Sequence, residues 1–191
     1  KILISLISFM LFFGCASKQD YNITKIDIST YKSIIIDAND LLIDDQSENS
    51  IEYPFIDHLV LYNMKFYLNE WIKTRIVPNY KSHNQIKLTI KKANIKAFYL
   101  DNNNTIEDIF VNKAAKRVEI DVYVTIEIID SNDKNLAYIE LKAFKSKELA
   151  ENISLNENDH VIQNMINETL MDFDKLAVAK IKEIFSNYLI I

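Results

Sequence analysis

Val118-Glu119-Ile120-Asp121-Val122-Tyr123-Val124-Thr125-Ile126-Glu127-Ile128 alternates without a slip. Val118, Ile120, Val122, Val124, Ile126 and Ile128 fall on one side of an extended chain, and Glu119, Asp121, Tyr123, Thr125 and Glu127 on the other. Successive strand side chains lie on opposite faces, so strict period two describes a strand that packs on one face and meets water on the other. All-parallel sheets are covered on both faces, whereas an antiparallel sheet tolerates one open face. This stretch therefore predicts an antiparallel sheet with helices on one side only.

The flanking residues extend that sheet. Upstream, residues 85–99 open with Ile86, Leu88 and Ile90 alternating against Lys87, Thr89 and Lys91, and the pattern slips one residue at Lys91-Lys92, the mark of a bulge. Downstream, residues 131–135 are turn formers and residues 136–146 form another strand, with Ala137, Ile139, Leu141 and Ala143 inward. Residues 33–43 carry Ile34-Ile35-Ile36 and Leu41-Leu42-Ile43, which predict a first strand broken near Asn39-Asp40, followed by an acidic loop over residues 44–50.

Two helices complete the pattern. Asn63 is a suitable N-cap for a helix with Met64, Leu68, Trp71 and Ile72 at helical spacing, and Pro78 stops it. Ser154 and Glu157 form an S-x-x-E capping box ahead of Ile162, Ile166, Leu170, Phe173, Ala177, Ile181, Ile184 and Tyr188. That stripe describes a helix of roughly 30 residues with one buried face. The expected architecture is α+β in the order β-α-β-β-β-α, an antiparallel four-stranded sheet with both helices on its apolar face.

The N-terminal end reads as an address. Residues 2–13 are apolar except for Ser5 and Ser8, follow Lys1 and precede Gly14 and Cys15. A basic flank, a short apolar core and a small residue describe a secretory signal, and the run falls short of the roughly 20 residues a membrane-spanning helix needs. Leu11-Phe12-Phe13-Gly14-Cys15 resembles the bacterial lipobox, with Phe12 and Phe13 where Leu and a small residue are more usual. The resemblance implies cleavage before Cys15 and diacylglyceryl attachment to it. Such a lipid supplies the two chains that stable anchoring needs. The expected organisation is a signal peptide over residues 1–14, a lipidated tether over residues 15–30 and one α+β domain over residues 31–191. Ala16 follows the cysteine where Asp would imply inner-membrane retention, so the expected location is the periplasm-facing outer membrane.

Composition removes many functions. Without residues 1–14 the chain carries 21 basic and 27 acidic side chains, which gives no electrostatic footprint for nucleic acid. The only cysteine is Cys15, so no disulfide forms within the chain. The only glycine is Gly14, which belongs to the signal. A P-loop, a dinucleotide-binding turn, a nucleophile elbow and an EF-hand each require glycine where the backbone takes positive φ or touches a ligand.

The remaining chemistry is sparse. His58, His83 and His160 are scattered, so no metal site is expected. The acids of Asn156-Glu157-Asn158-Asp159-His160 complement the dipole of the helix they begin. Asp101-Asn102-Asn103-Asn104-Thr105 fails as a calcium loop, with Ile106 where Gly is required and Asn112 where Glu is required. Asp57-His58 could join a relay only with a serine brought from elsewhere, and no serine has an activating context. The expectation is a protein that is not an enzyme and takes no cofactor.

Two features suit a partner. Residues 100–113 place Ile106, Ile109, Phe110 and Val111 in a connection between strands, either for contact or folded back over the core edge. On the open sheet face, Tyr123, Tyr138 and Phe144 stand among Lys and Glu.

Asp57-His58-Leu59, Glu70-Trp71, the strand through Asp130, Ser154-Leu155-Asn156-Glu157 and Glu168-Thr169-Leu170-Met171 together resemble a group of alphaproteobacterial lipoproteins. Those marks cover most of the chain after Cys15 and are structural, not catalytic. The element order also resembles LptE-like lipopolysaccharide-assembly lipoproteins and the auxiliary lipoproteins of lipid-trafficking ABC transporters. These resemblances imply an accessory that holds a partner protein at the membrane. A second reading, of another class, is a lipid carrier with an apolar cavity between sheet and helices.

Overall fold

The computed structural model describes residues 25–100, 114–150 and 153–190. Among these residues six strands and two α-helices follow in order: β1 (Ile34–Ile36), β2 (Asp40–Asp45), α1 (Met64–Arg75), β3 (Ile76–Pro78), β4 (Gln85–Tyr99), β5 (Ala114–Ile129), β6 (Asn135–Ala150) and α2 (Leu155–Ile184). A four-stranded sheet runs β2-β4-β5-β6, and β1 and β3 pair separately. The α+β class and the two helices match the expectation.

One part of it is corrected: the sheet is mixed. β4, β5 and β6 are antiparallel neighbours, but β2 lies parallel to β4, with Asp40 opposite Gln85 and Asp45 opposite Ile90. Antiparallel strands can join through a hairpin, whereas parallel neighbours need a crossover, and α1 supplies it here. The same crossover leaves β1 parallel to β3. The expected first strand is thus two strands in two sheets, separated by Asp37, Ala38 and Asn39. Ala38 is fully buried at the step.

The helix boundaries follow local chemistry. Asn63 caps α1 by accepting from the Phe66 amide at 3.0 Å. The helix ends at Arg75, three residues before Pro78, because the pre-proline and β-branched stretch Ile76-Val77 prefers the extended conformation it adopts in β3. Ser154 caps α2 through the Glu157 amide at 3.2 Å, and the helix runs for 30 residues.

Packing between sheet and helices is dense. All six apolar positions of the 118–128 alternation are fully buried, as are Ile166, Leu170, Phe173, Ala177 and Ile181 of α2. Trp71 of α1 meets Phe173 edge-on at 5.0 Å. Its indole N–H donates to Asp174 Oδ1 at 2.8 Å, and Arg75 donates to both oxygens of the same carboxylate at 2.9 and 3.0 Å. Arg75 also donates to the Lys32 carbonyl and lies 5.5 Å from the Tyr31 ring centroid. One carboxylate therefore joins both helices and the segment entering β1. Burial, followed by Asp174, pushes the Tyr31 hydroxyl above its ordinary range.

The bulge falls where the alternation slips, between Ile90 and Lys92. Beyond it β2 no longer accompanies β4. The segment around Pro54 replaces it, with the Ile56 amide donating to the Ile95 carbonyl and the Ala97 amide to the Pro54 carbonyl. Both oxygens of the Asp57 carboxylate accept from the Ile95 amide at 3.1 Å.

Candidate interaction surface

The sheet face opposite the helices is built on a cross-strand row. Thr89 of β4 lies opposite Thr125 of β5, and Thr125 lies opposite Glu140 of β6. Both threonines are buried even though their strand positions alternate with the core-facing ones, and longer side chains flank them in the ladder. Glu140 organises those neighbours. Its Oε1 accepts from the Tyr138 hydroxyl at 2.7 Å and the Tyr123 hydroxyl at 2.8 Å, and the Lys142 ammonium lies 3.4 Å from Oε2.

Charge reinforces the cluster. The Tyr138 and Tyr123 hydrogen bonds, with Lys142 beside them, hold the Glu140 carboxyl down to about 2. Partial burial and the bond to Glu140 push the Tyr138 hydroxyl well above its ordinary range. Lys142 and Lys91 place their ammonium groups 4.4 and 5.0 Å from the Tyr123 ring centroid. Lys92 pairs with Asp121 at 2.8 Å, and Phe144, opposite Asp121 in the ladder, remains 62% exposed. The face is therefore a fixed polar lattice with one bare aromatic side chain at its edge. Asn94 is removed from it, since the loop after β2 folds over that corner and Asn94 donates to the Glu48 carbonyl at 2.8 Å.

The predicted site residues divide accordingly. Tyr123, Tyr138 and Phe144 share the face: two are held by Glu140 and the third is presented. Cys15, Ile106, Ile109, Phe110 and Val111 lie outside the described residues. Glu140 and Lys142 were missed by sequence reading. Their role depends on strand register, and a Glu or Lys on a solvent face carries no local mark of it.

The acid and histidine considered for a relay occupy a shallow cleft of about 190 Å³ with Ser50 and Asn63. Asp57 serves the bulged strand there. Burial raises its carboxyl, while the bond from the Ile95 amide works in the opposite direction. The Ser50 hydroxyl accepts from the Glu52 amide at 3.1 Å. Among the described residues, no group of three or more His, Cys, Asp or Glu side chains is placed to hold a metal ion, and no helix is long and apolar enough to cross a membrane.

Fold and surface define an α+β domain with a mixed sheet and an organised open face. No family model matches the chain. No curated protein matches it either. Among solved structures it is similar to rare lipoprotein B of Shewanella oneidensis, at 7% identity and a TM-score of 0.39, over 76% of this chain and 96% of that one. It is also similar to a minor lipoprotein of Acinetobacter baumannii, at 12% identity and a TM-score of 0.35, over 76% and 95%. A Xanthomonas campestris protein of the DUF330 family is similar at 5% identity and a TM-score of 0.36, over 81% and 91%.

Proposed function

We propose that this chain is an envelope lipoprotein, anchored through Cys15 and acting as a non-enzymatic binding or assembly subunit. The observation that carries the contact role is Phe144, exposed beside aromatic and charged groups that Glu140 already holds in place. Fixing the polar groups in advance lowers the ordering cost of binding, and an exposed aromatic ring supplies the anchor that interfaces favour. The connection bearing Ile106, Ile109, Phe110 and Val111 joins β4 to β5 and is a second contact element in this reading. The lipobox-like segment supports lipid anchoring, and Ala16 after the cysteine favours the periplasm-facing outer membrane. A place in lipid or lipopolysaccharide transport is part of this proposal on fold-level analogy alone.

The carrier alternative requires an apolar chamber between sheet and helices. Among the described residues of the core, Trp71, Tyr67, Phe173 and Ile166 have no exposed surface. That packing favours the binding subunit.

Photo-crosslinking in intact cells from position 144 tests the reading. A discrete adduct with an envelope protein, absent from a probe at Tyr80, is the expected result. Recovery of the bare chain from both positions would overturn it. Mass spectrometry of the N-terminus checks the anchor separately, with diacylated Cys15 expected and an unmodified thiol refuting it.

A further inference from the structure

The most exposed large apolar side chains gather at one end of the molecule. Ile51, Leu59, Leu61, Tyr99 and Leu155 are 79, 72, 73, 77 and 84% exposed, more than any other large hydrophobic residue described. Local contacts place them together. Leu59 and Leu61 rim a cleft of about 70 Å³ with Asp159, Ile162 and Gln163, from the first turns of the helix that Leu155 begins. Tyr99 ends β4 and stacks on Tyr53, with centroids 6.1 Å apart and planes at 7°. Ile51 lines the cleft that includes Asp57, and Asp57 is bonded to Ile95 near the same end of β4.

The chain enters the domain on that side. Lys25 lies 4.8 Å from the Phe66 ring centroid and 3.9 Å from Glu70, and the Ile26 amide donates to the Tyr67 hydroxyl at 3.1 Å. All these contacts fall on α1, whose first turn follows Leu61. Lys25 follows Cys15 by ten positions, a span of at most roughly 35 Å.

We propose that this end is a second, shallow membrane contact, in which Leu59, Leu61 and Leu155 enter the headgroup boundary of a lipid bilayer and Tyr53 and Tyr99 lie at its surface. The inference rests on the anchoring proposed above and adds an orientation to it. Tyrosine favours the bilayer interface, where its ring meets acyl chains and its hydroxyl stays wet, and leucine side chains partition below it. A few leucines bind membranes weakly alone. A tether this short holds them at high effective concentration beside the bilayer, which makes the weak contact persistent. Held this way, the sheet stands with its Tyr99 end on the membrane and its Gln85 end roughly 45 Å away, at about 3.3 Å per strand residue.

The test uses the full chain, lipidated and reconstituted in vesicles of phosphatidylethanolamine and phosphatidylglycerol. With Cys15 capped by lipid, a single introduced thiol can be labelled with an environment-sensitive fluorophore in Leu61→Cys, Leu155→Cys and, as the control at the other end, Tyr80→Cys. These side chains are exposed, so the core is untouched. Spin-labelled lipid is expected to quench positions 61 and 155 at least about threefold more than position 80, and aqueous iodide to show the reverse order. Equal quenching at all three positions would overturn the orientation. Shielding of 61 and 155 from iodide without quenching by lipid would also overturn it, and would assign the end to a protein. The mass of the N-terminus, read on the same sample, reports the anchor independently.

Discussion

A domain without glycine must place side-chain-bearing residues wherever its backbone turns left-handed. Among the described residues Tyr80 and Asp133 occupy such positions, both at φ 61°. Aspartate tolerates this region because its short polar side chain bonds locally, whereas a bulky residue there is strained by about 1 kcal/mol or more. Tyr80 is largely exposed and packs little, so Tyr80→Gly is expected to stabilise the protein by about 1 kcal/mol in urea denaturation, with Asp133→Gly gaining less. A loss of stability in Tyr80→Gly would show that the exposed ring contributes more than its backbone costs. Glu140 gives a pH signature at the same scale. Its folded value of about 2 lies below the ordinary 4.5, so the carboxylate favours the fold fully above about 4.5, and this contribution is lost as pH falls from there through about 2. Glu140→Gln is expected to flatten acid unfolding in that window. Tyr123→Phe with Tyr138→Phe should raise the Glu140 carboxyl toward its ordinary value, as read by NMR titration of its side-chain carbon.

At the level of elements, legibility tracked the range of the interaction that fixes each one. The 118–128 strand, the bulge at Ile90/Lys92 and the 30-residue α2 could be read because alternation, its slip and a capped helical stripe are local signals. The direction of β2 and the separate β1–β3 pair could not. Ile34-Ile35-Ile36 and Leu41-Leu42-Ile43 look alike as sequence, and their partners, Ile76–Pro78 and Gln85–Ile90, lie some forty residues away. The open face was legible as a face, but Glu140 as its centre was not, since register places it opposite Thr125. The apolar end was hidden for a third reason: residues 51–61 have no periodicity to interrupt. The junction of α1 with α2 is equally non-local, since Trp71 and Arg75 share Asp174 across about a hundred positions. Removing that carboxylate leaves a largely buried guanidinium and an indole N–H without their acceptor. Asp174→Ala is therefore expected to cost about 3 kcal/mol and lower the melting point by roughly 10 °C. Ser154→Ala, which removes one cap on an exposed turn, should cost about 1 kcal/mol. Equal losses from the two substitutions would mean that Asp174 is not the link between the helices.

For the whole molecule, the question a mixed sheet poses is what becomes of its two edges. An unpaired strand edge offers amides and carbonyls to any other strand, and proteins protect it with short strands, charges or covering segments. The β2 edge is six residues long and carries Asp40, Asp44 and Asp45, and beyond the bulge the Pro54 segment takes over the edge of β4. β6 is the harder case: 16 residues that, among the described residues, pair on one side only. Three devices guard it. Lys180 reaches from α2 and donates to the Glu140 carbonyl at 2.9 Å, which takes one backbone acceptor out of reach. Lys145 is held on the helix side by Glu168 at 2.7 Å and Asp172 at 3.6 Å, and Lys142 and Lys147 stay exposed along the strand. A strand from a second molecule would have to displace Lys180 and pack against the exposed side chains of Lys142 and Lys147. Replacing Lys142, Lys147 and Lys180 together with Val should accordingly raise self-association, seen as a sedimentation coefficient that climbs with concentration more steeply than that of the parent chain. The same triple substitution to Glu should leave the parent's concentration dependence unchanged, because charge of either sign keeps the edge from pairing. If the Val variant sediments like the parent, the β6 edge is protected by the overhang of α2 and not by its lysines.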